Sequence, residues 1–330
     1  MNYIEKEYKS IITRIGLSLL FFLFVFNLLN GGTQIVTIIA QSFWANSDIV
    51  YIITDLASSL AYLVSFILPV PFFYLISKGI KTHSMNLTLT LPSPYPLLKL
   101  VAFVWAGIAV IIPMAYLNSL LYPVSYDVTV ELFDLDFSKP YMLVLSMIST
   151  AIVPAFAEEF LFRGLIVSNI KPYNKGAAVV ISAITFGLMH QNPMQLLYAT
   201  VAGIVFGLVY VETESIWCCI ILHFVNNFIS IMQSYFSYIL NSQTADLLIY
   251  FFDVFVVLGG MVCALFVLRS MRKNKVKRLN GVFGVYDRAV DQTSYKINFI
   301  KCGLLSPAVL IFILLCVVQC VINAVALNLM

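Results

Sequence analysis

The chain has 330 residues, of which 61% are hydrophobic and 11% are charged, and its formal net charge is +3. Soluble domains carry about a quarter charged residues, so this composition excludes an ordinary soluble globular protein. A net charge this small gives no indication of nucleic-acid binding. The composition predicts an all-α polytopic membrane protein.

Long apolar segments recur along the whole chain and predict about nine transmembrane helices, because a helix needs about 20 apolar residues to cross the hydrocarbon core. In chain order they are 15–40, 49–76, 97–121, 141–168, 176–190, 194–211, 215–239, 247–268 and 302–326. The fifth and sixth are short and are separated only by Gln191-Asn192-Pro193. We interpret the first as a retained helix, since its apolar run is long and no clear cleavage site follows it.

The basic residues predict the orientation of these helices. If nine helices alternate in direction, 17 of the 19 Lys and Arg residues lie on the side of the N-terminus, Lys139 lies on the other side and Arg163 lies within a helix. The positive-inside rule then predicts a multi-pass protein of the cell membrane with a cytoplasmic N-terminus and an outside C-terminus. The basic stretch 269–278 is interpreted as a topology anchor, and binding of anionic lipid or of a partner is the alternative.

The fourth predicted helix carries three charged residues, Glu158, Glu159 and Arg163. Charges at membrane depth are costly and usually functional, so these side chains should face protein or water and not lipid. Glu159 and Arg163 are four residues apart and share a helix face, which predicts an ion pair between them. Glu158 lies on a different face from Arg163 and is therefore the carboxylate that is free to react. Pro154 removes the amide bond to the Thr150 carbonyl and should open the helix nearby.

Two of the three histidines lie in hydrophobic segments. His190 ends the fifth predicted helix, and His223 lies in the seventh, four residues before Asn227 on the same face. At 1.5 Å per residue, these three side chains and Glu158 all fall broadly around the middle of the membrane, so they could share one cavity. Asp55 and Asp253 lie nearer a predicted helix end, where interfacial snorkelling or a local cap explains them.

Such a set of side chains suits hydrolysis by an activated water molecule. Glu158 would accept a proton from water with help from His190, and His223 and Asn227 would donate hydrogen bonds to the oxyanion of a scissile amide. The alternative is a zinc site with Glu158, His190 and His223 as ligands. The sequence contains no His-Glu-x-x-His motif of the kind that binds zinc on one helix.

Three motifs, in this order, resemble those of the CAAX prenyl protease 2 and bacteriocin-processing (CPBP, or Abi) intramembrane proteases. They are Glu-Glu-x-x-x-Arg, Phe-x-x-x-His and His-x-x-x-Asn, which here read Glu158-Glu159…Arg163, Phe186…His190 and His223…Asn227. The resemblance covers about residues 141–240. It divides the chain into N-terminal transmembrane helices (1–140), a catalytic core (141–240) and C-terminal transmembrane helices with a basic cytoplasmic loop (241–330).

The resemblance implies an intramembrane endopeptidase that cleaves a membrane-embedded or lipidated peptide. Glu158 would be the catalytic glutamate, His190 its partner on water, and His223 and Asn227 the oxyanion site. Phe186 would pack beside them, and Glu159 and Arg163 would support the site. The family pattern favours catalysis without a cofactor, with zinc as the alternative, and its bacterial members are linked to bacteriocin processing and self-immunity.

Two other functions fit the same residues. Buried Glu, His and Asp side chains also build the proton relays of transporters, although the halves of this sequence show no internal repeat. A non-enzymatic immunity or sensor-regulating protein could also keep the fold and the site without activity.

Overall fold

The computed structural model describes residues 3–44, 46–83, 87, 96–121, 137–273 and 298–329. These residues form eleven helices and no strand. The helices are α1 Tyr3–Phe43, α2 Ser47–Ile67, α3 Pro69–Ile76, α4 Pro96–Leu121, α5 Pro140–Ile170, α6 Lys175–Met189, α7 Pro193–Thr213, α8 Ile216–Ile239, α9 Ser242–Lys273, α10 Phe299–Leu304 and α11 Pro307–Leu329. The predicted all-α membrane architecture is thereby confirmed.

Within the described residues, eight helices are long and apolar enough to cross a membrane when α2 and α3 are counted as one span, Ser47–Ile76. The fifth predicted span is shorter than the other eight. It corresponds to α6, which has 15 residues and is therefore about 22 Å long, less than the roughly 30 Å of the hydrocarbon core.

Several predicted boundaries differ from those of the structure. The helix predicted from residue 15 begins at Tyr3, where Lys9 pairs with Glu5 one turn away at 2.6 Å. The last predicted span, 302–326, is divided by a break at Ser306, because α11 begins with Pro307. Proline has no amide hydrogen and suits the first turn of a new helix, which explains the break. Half of the basic stretch 269–278, residues 274–278, lies outside the described residues, and its anchor or lipid-binding role stays a prediction.

The core of the molecule surrounds α5, which packs against α2, α6 and α8. α2 and α5 run parallel, since Tyr62 contacts Glu158 and Phe66 contacts Phe162 further along both helices. Parallel packing is expected for the second and fourth crossings of a chain that alternates in direction. In addition, α4 packs along α9, and α1 packs along α11.

α6 and α7 form a closely packed hairpin. A Cβ atom at Gly187 would lie 2.0 Å from Thr200 Oγ1, and one at Gly203 would lie 2.9 Å from the Ala183 backbone. Small residues permit such close approach between membrane helices. The Asn192 side chain accepts from the Met194 amide at 3.0 Å and so caps the start of α7. The hairpin therefore holds His190, at the end of α6, in a defined turn.

Candidate active site

α5 is wound unevenly around the two adjacent glutamates. Two π-helical segments, Met147–Ile152 and Phe160–Val167, flank an α-helical segment, Val153–Glu159. π-Helical turns insert extra residues into a helix and occur often at functional sites. Glu158, Glu159 and Arg163 are all buried, with exposed fractions of 3%, 0% and 0%. The side chains therefore face the protein interior, as the cost of a charge in lipid requires.

Glu159 and Arg163 form the predicted ion pair, with Arg163 Nη1 2.9 Å from Glu159 Oε1. Arg163 Nη2 also donates to the Gly203 carbonyl at 3.2 Å. The guanidinium lies 4.7 Å from the ring centre of Phe186 and 5.1 Å from that of Phe206. An arginine between two aromatic faces gains cation–π attraction while it is shielded from water. Phe186 thus packs against the guanidinium of Arg163.

His223 lies between the two glutamates. Its Nδ1 is 2.9 Å from Glu159 Oε1, and its Nε2 is 3.9 Å from Glu158 Oε2. The ring stacks on Phe206 at a centroid distance of 5.0 Å. Because an ionised carboxylate only accepts hydrogen bonds, the Glu159 contact requires the proton on Nδ1. Nε2 then faces Glu158 and carries a second proton only when the imidazole is charged.

Glu158 is held at one oxygen and unpartnered at the other. The Tyr62 hydroxyl of α2 donates to Glu158 Oε1, whereas Glu158 Oε2 is buried without a hydrogen-bond partner. Sequence reasoning did not identify Tyr62. Residues 62 and 158 are 96 positions apart, and no helical period links them. The available signal was the spacing of Asp48, Asp55 and Tyr62, which places three polar residues on one helix face, beginning just before the predicted span 49–76.

Asn227 is close to the site but does not bond to His223. Its Nδ2 donates to the Thr150 carbonyl at 2.9 Å, and its Oδ1 accepts from Asn226 at 2.9 Å. Thr150 is the residue whose carbonyl Pro154 cannot satisfy through the usual helical bond. Asn227 therefore supports the opened part of α5, and the second N–H of its amide is left to act as a donor.

His190 lies on the far side of Phe186. Its Nδ1 is 2.9 Å from the Phe186 carbonyl, which requires the proton on Nδ1 and leaves Nε2 as an acceptor. Its ring contacts Phe186 edge to face at 5.1 Å, and Phe186 in turn contacts His223 at 6.1 Å. No ion pair within 4 Å joins His190 to Glu158, both of which are described residues. Of these two histidines, His223 thus lies nearer to Glu158, and His190 is linked to it only through Phe186, which contacts both histidine rings.

The last helix supports the turn that carries His190. Asn323 Nδ2 of α11 donates to the Gln191 carbonyl at 2.8 Å. Gln191 has a φ of 53°, a left-handed conformation that is uncommon for residues other than glycine. Helix α11, which carries none of the three motifs, thus stabilises this strained turn.

The structure also bears on the alternative zinc site. In the part of the chain that the structure describes, no group of three His, Cys, Asp or Glu side chains could hold a metal ion. Glu158 and His223 approach each other, but His190 does not join them.

Comparisons with known proteins agree with the position of the three motifs. Residues 140–229 match a family described as type II CAAX prenyl endopeptidase Rce1-like. A protein of Bacillus subtilis (strain 168) named "Putative membrane peptidase YdiL" is 33% identical over 107 residues, which are 32% of this chain and 42% of that protein. The match thus spans less than half the length of this relative, and no solved structure matches the chain. Residues 140–229, which contain all three motifs, are therefore similar to the Rce1-like CAAX prenyl endopeptidases.

Proposed function

We propose that this protein is an intramembrane endopeptidase that hydrolyses a peptide bond of a membrane-associated peptide with a water molecule activated by Glu158. The observation that carries the proposal is the approach of Glu158 Oε2, which has no hydrogen-bond partner, to His223 Nε2 at 3.9 Å. Both side chains are buried. A carboxylate held at one oxygen and unpartnered at the other is suited to accept a proton from water.

The reaction divides among the residues as follows. Glu158 takes a proton from the attacking water, and the hydroxide oxygen bonds to the scissile carbonyl carbon. The charged form of His223, stabilised by Glu159, donates from Nε2 to the oxyanion, and the second N–H of Asn227 can add another donor. Glu158 then returns the proton to the leaving amine as the C–N bond breaks. Glu158 thus ends the reaction in the protonation state in which it began, and water is the only co-reactant.

Glu159 has a supporting role in this scheme. It accepts hydrogen bonds from Arg163 and His223 through the same oxygen, Oε1. A carboxylate that orients an imidazole and stabilises its charged form is also found in the Ser-His-Asp triad. His190 offers the acceptor Nε2 and helps with the water only if the substrate brings it closer, since it does not contact Glu158 here.

The location of the site favours a lipidated or membrane-embedded substrate. Glu158 lies about 18 Å from the Ile170 end of α5 at 1.5 Å per residue, within a helix of 31 residues. A peptide must therefore enter the helical bundle to reach it. From the distribution of basic residues we also propose that the N-terminus lies in the cytoplasm and the C-terminus outside a cell membrane.

The test uses purified protein in lipid bilayers and three synthetic peptides. These are a peptide with a prenylated C-terminal CAAX sequence, the same peptide without the prenyl group, and a hydrophobic bacteriocin-like peptide. Mass spectrometry of the products should find one new C-terminus for at least one peptide, and none with Glu158→Gln protein. A cut that Glu158→Gln protein makes equally fast would contradict the proposed mechanism. Failure to cut any membrane peptide, with the fold intact, would favour the binding or immunity function.

A further inference from the structure

A row of polar residues runs along the face of α2 that packs on α5. Asp48, Asp55, Ser59 and Tyr62 are spaced by seven, four and three residues, so they lie on one helix face. Three of these four residues lie close to a polar residue on α5 or just before it. Asp48 pairs with Lys139, Asp55 lies beside Ser149, and Tyr62 donates to Glu158. We call these seven residues the polar seam.

The polar seam connects an exposed end of the helix pair with the candidate active site. The side chains of Lys139 and Asp48 are 42% and 32% exposed, whereas that of Glu158 is 4% exposed. From Asp48 to Tyr62 the distance along α2 is about 21 Å at 1.5 Å per residue. The seam thus leads from a region open to solvent to a carboxylate deep among the helices.

Buried polar atoms on the seam lack protein partners. Asp55 Oδ2, Ser59 Oγ and Glu158 Oε2 are each buried without a hydrogen bond to the protein. Buried polar atoms in proteins are almost always bonded to protein groups or to ordered water. Two membrane helices that only pack together present small residues, or polar side chains that hydrogen-bond across the interface, to each other. A row of polar residues in which three buried atoms have no protein partner has the chemistry of a surface that binds water.

We propose that the polar seam is a hydrated route by which water reaches Glu158 from the end of the helix pair that carries Asp48 and Lys139. The role in catalysis rests on the proposed function, whereas the hydration does not. Hydrolysis consumes one water molecule per bond, and a site surrounded by apolar helices needs a polar path to replace it. Tyr62 forms the inner end of the route and holds Glu158 Oε1, so that Oε2 is directed toward His223.

Cysteine accessibility tests the hydration directly. N-Ethylmaleimide reacts with the thiolate, which forms in water and not in lipid. Ser59→Cys is nearly isosteric and should be modified. Leu60→Cys, one residue away on a side chain that is 62% exposed outside the helical bundle, should stay unmodified in bilayers. Ser47→Cys, at the exposed start of α2, is the positive control. Peptide mass spectrometry locates the label, so the six native cysteines can stay.

The outcomes separate the two proposals. Modification of Ser59→Cys no faster than that of Leu60→Cys would overturn the hydrated seam, even if the protein cleaves peptides. Modification of Ser59→Cys should also abolish cleavage, and unchanged cleavage after complete modification would overturn the supply of water through the seam. If wild-type protein cleaves nothing but Ser59→Cys is modified, the hydration stands and the proposed function fails.

Discussion

Within the described helices, the buried carboxylates of α5 and α9 belong to two clusters whose hydrogen bonding differs. The carboxylate of Asp253 on α9 accepts from Tyr116 of α4 at 2.7 Å and from Gln233 of α8 at 2.8 Å, so both of its oxygens are bonded. In the cluster on α5, Glu158 Oε2, Glu159 Oε2 and Arg163 Nε have no hydrogen-bond partner. All three members of the first cluster lie outside residues 140–229, which match the peptidase family.

The difference indicates two uses for a buried acid. A carboxylate with both oxygens bonded to neutral donors joins three helices. A carboxylate that keeps an unpartnered oxygen is less well stabilised, and such groups in native proteins usually have a catalytic or binding reason. The comparison therefore favours a stabilising role for the Asp253 cluster and supports the proposal that the cluster on α5 carries the chemistry. Within that cluster Glu159 already binds Arg163 and His223, so the proposal gives the reaction to Glu158.

The largest effect on stability is expected from breaking the Glu159–Arg163 pair. Glu159→Gln would leave the Arg163 charge buried without its partner, which costs roughly 3–5 kcal/mol of unfolding free energy. The double variant Glu159→Gln/Arg163→Met removes both charges and should regain much of that loss. Chemical or thermal unfolding in detergent measures both. A single variant as stable as the wild type would show that the pair does not support the fold.

The sequence predicted this pair because its members are four residues apart on one helix. The sequence also placed Glu158, His190, His223 and Asn227 in the membrane interior, and the structure gathers them around Phe186 and α5. It could not predict that Tyr62 bonds to Glu158 or that His223 bonds to Glu159, at sequence separations of 96 and 64 residues. Contacts between helices depend on how each helix is rotated, and the π-helical segments of α5 change that rotation.

Asp253 illustrates the same limit. Its position predicted snorkelling or a cap, but the structure shows hydrogen bonds from two other helices. No period along α9 could reveal these partners, because Tyr116 and Gln233 lie on separate helices. The polar character of Asp253 was visible in the sequence, whereas its contribution to helix packing was not.

A smaller effect is expected from Asp253→Asn. Asparagine keeps the size of the side chain but replaces one acceptor with a donor, so one hydrogen bond to a charged group is lost. We expect the unfolding free energy to fall by about 1.5–3 kcal/mol. Cleavage per folded molecule should not change. If cleavage falls while stability is kept, the Asp253 cluster takes part in the chemistry and the comparison fails.

Two tyrosine variants compare the clusters by the same chemical change. Tyr62→Phe removes the hydroxyl that donates to Glu158, and Tyr116→Phe removes the one that donates to Asp253. We expect Tyr62→Phe to lower the cleavage rate about tenfold, which corresponds to about 1.4 kcal/mol and to the loss of one hydrogen bond. Tyr116→Phe should leave the rate per folded molecule unchanged. Equal rates for the two variants would show that Tyr62 does not position Glu158.

Chelation is expected to have the smallest effect. The proposed chemistry uses a carboxylate and protein donors, so cleavage should continue after treatment with a strong chelator. Metal analysis of the active protein and a cleavage assay before and after treatment provide the measurement. Stoichiometric zinc whose removal stops cleavage, and whose return restores it, would assign the activation of water to a metal and not to the unpartnered oxygen of Glu158.

The most direct test of the central claim is the cleavage rate of Glu158→Gln protein, measured per folded molecule on a verified membrane substrate. Glutamine keeps the size of the side chain and an acceptor for Tyr62 but cannot take a proton from water. The account predicts stability close to that of the wild type and a rate lower by about 10²–10⁴-fold, the usual contribution of a general base. A stable Glu158→Gln protein that cleaves at the wild-type rate would contradict it.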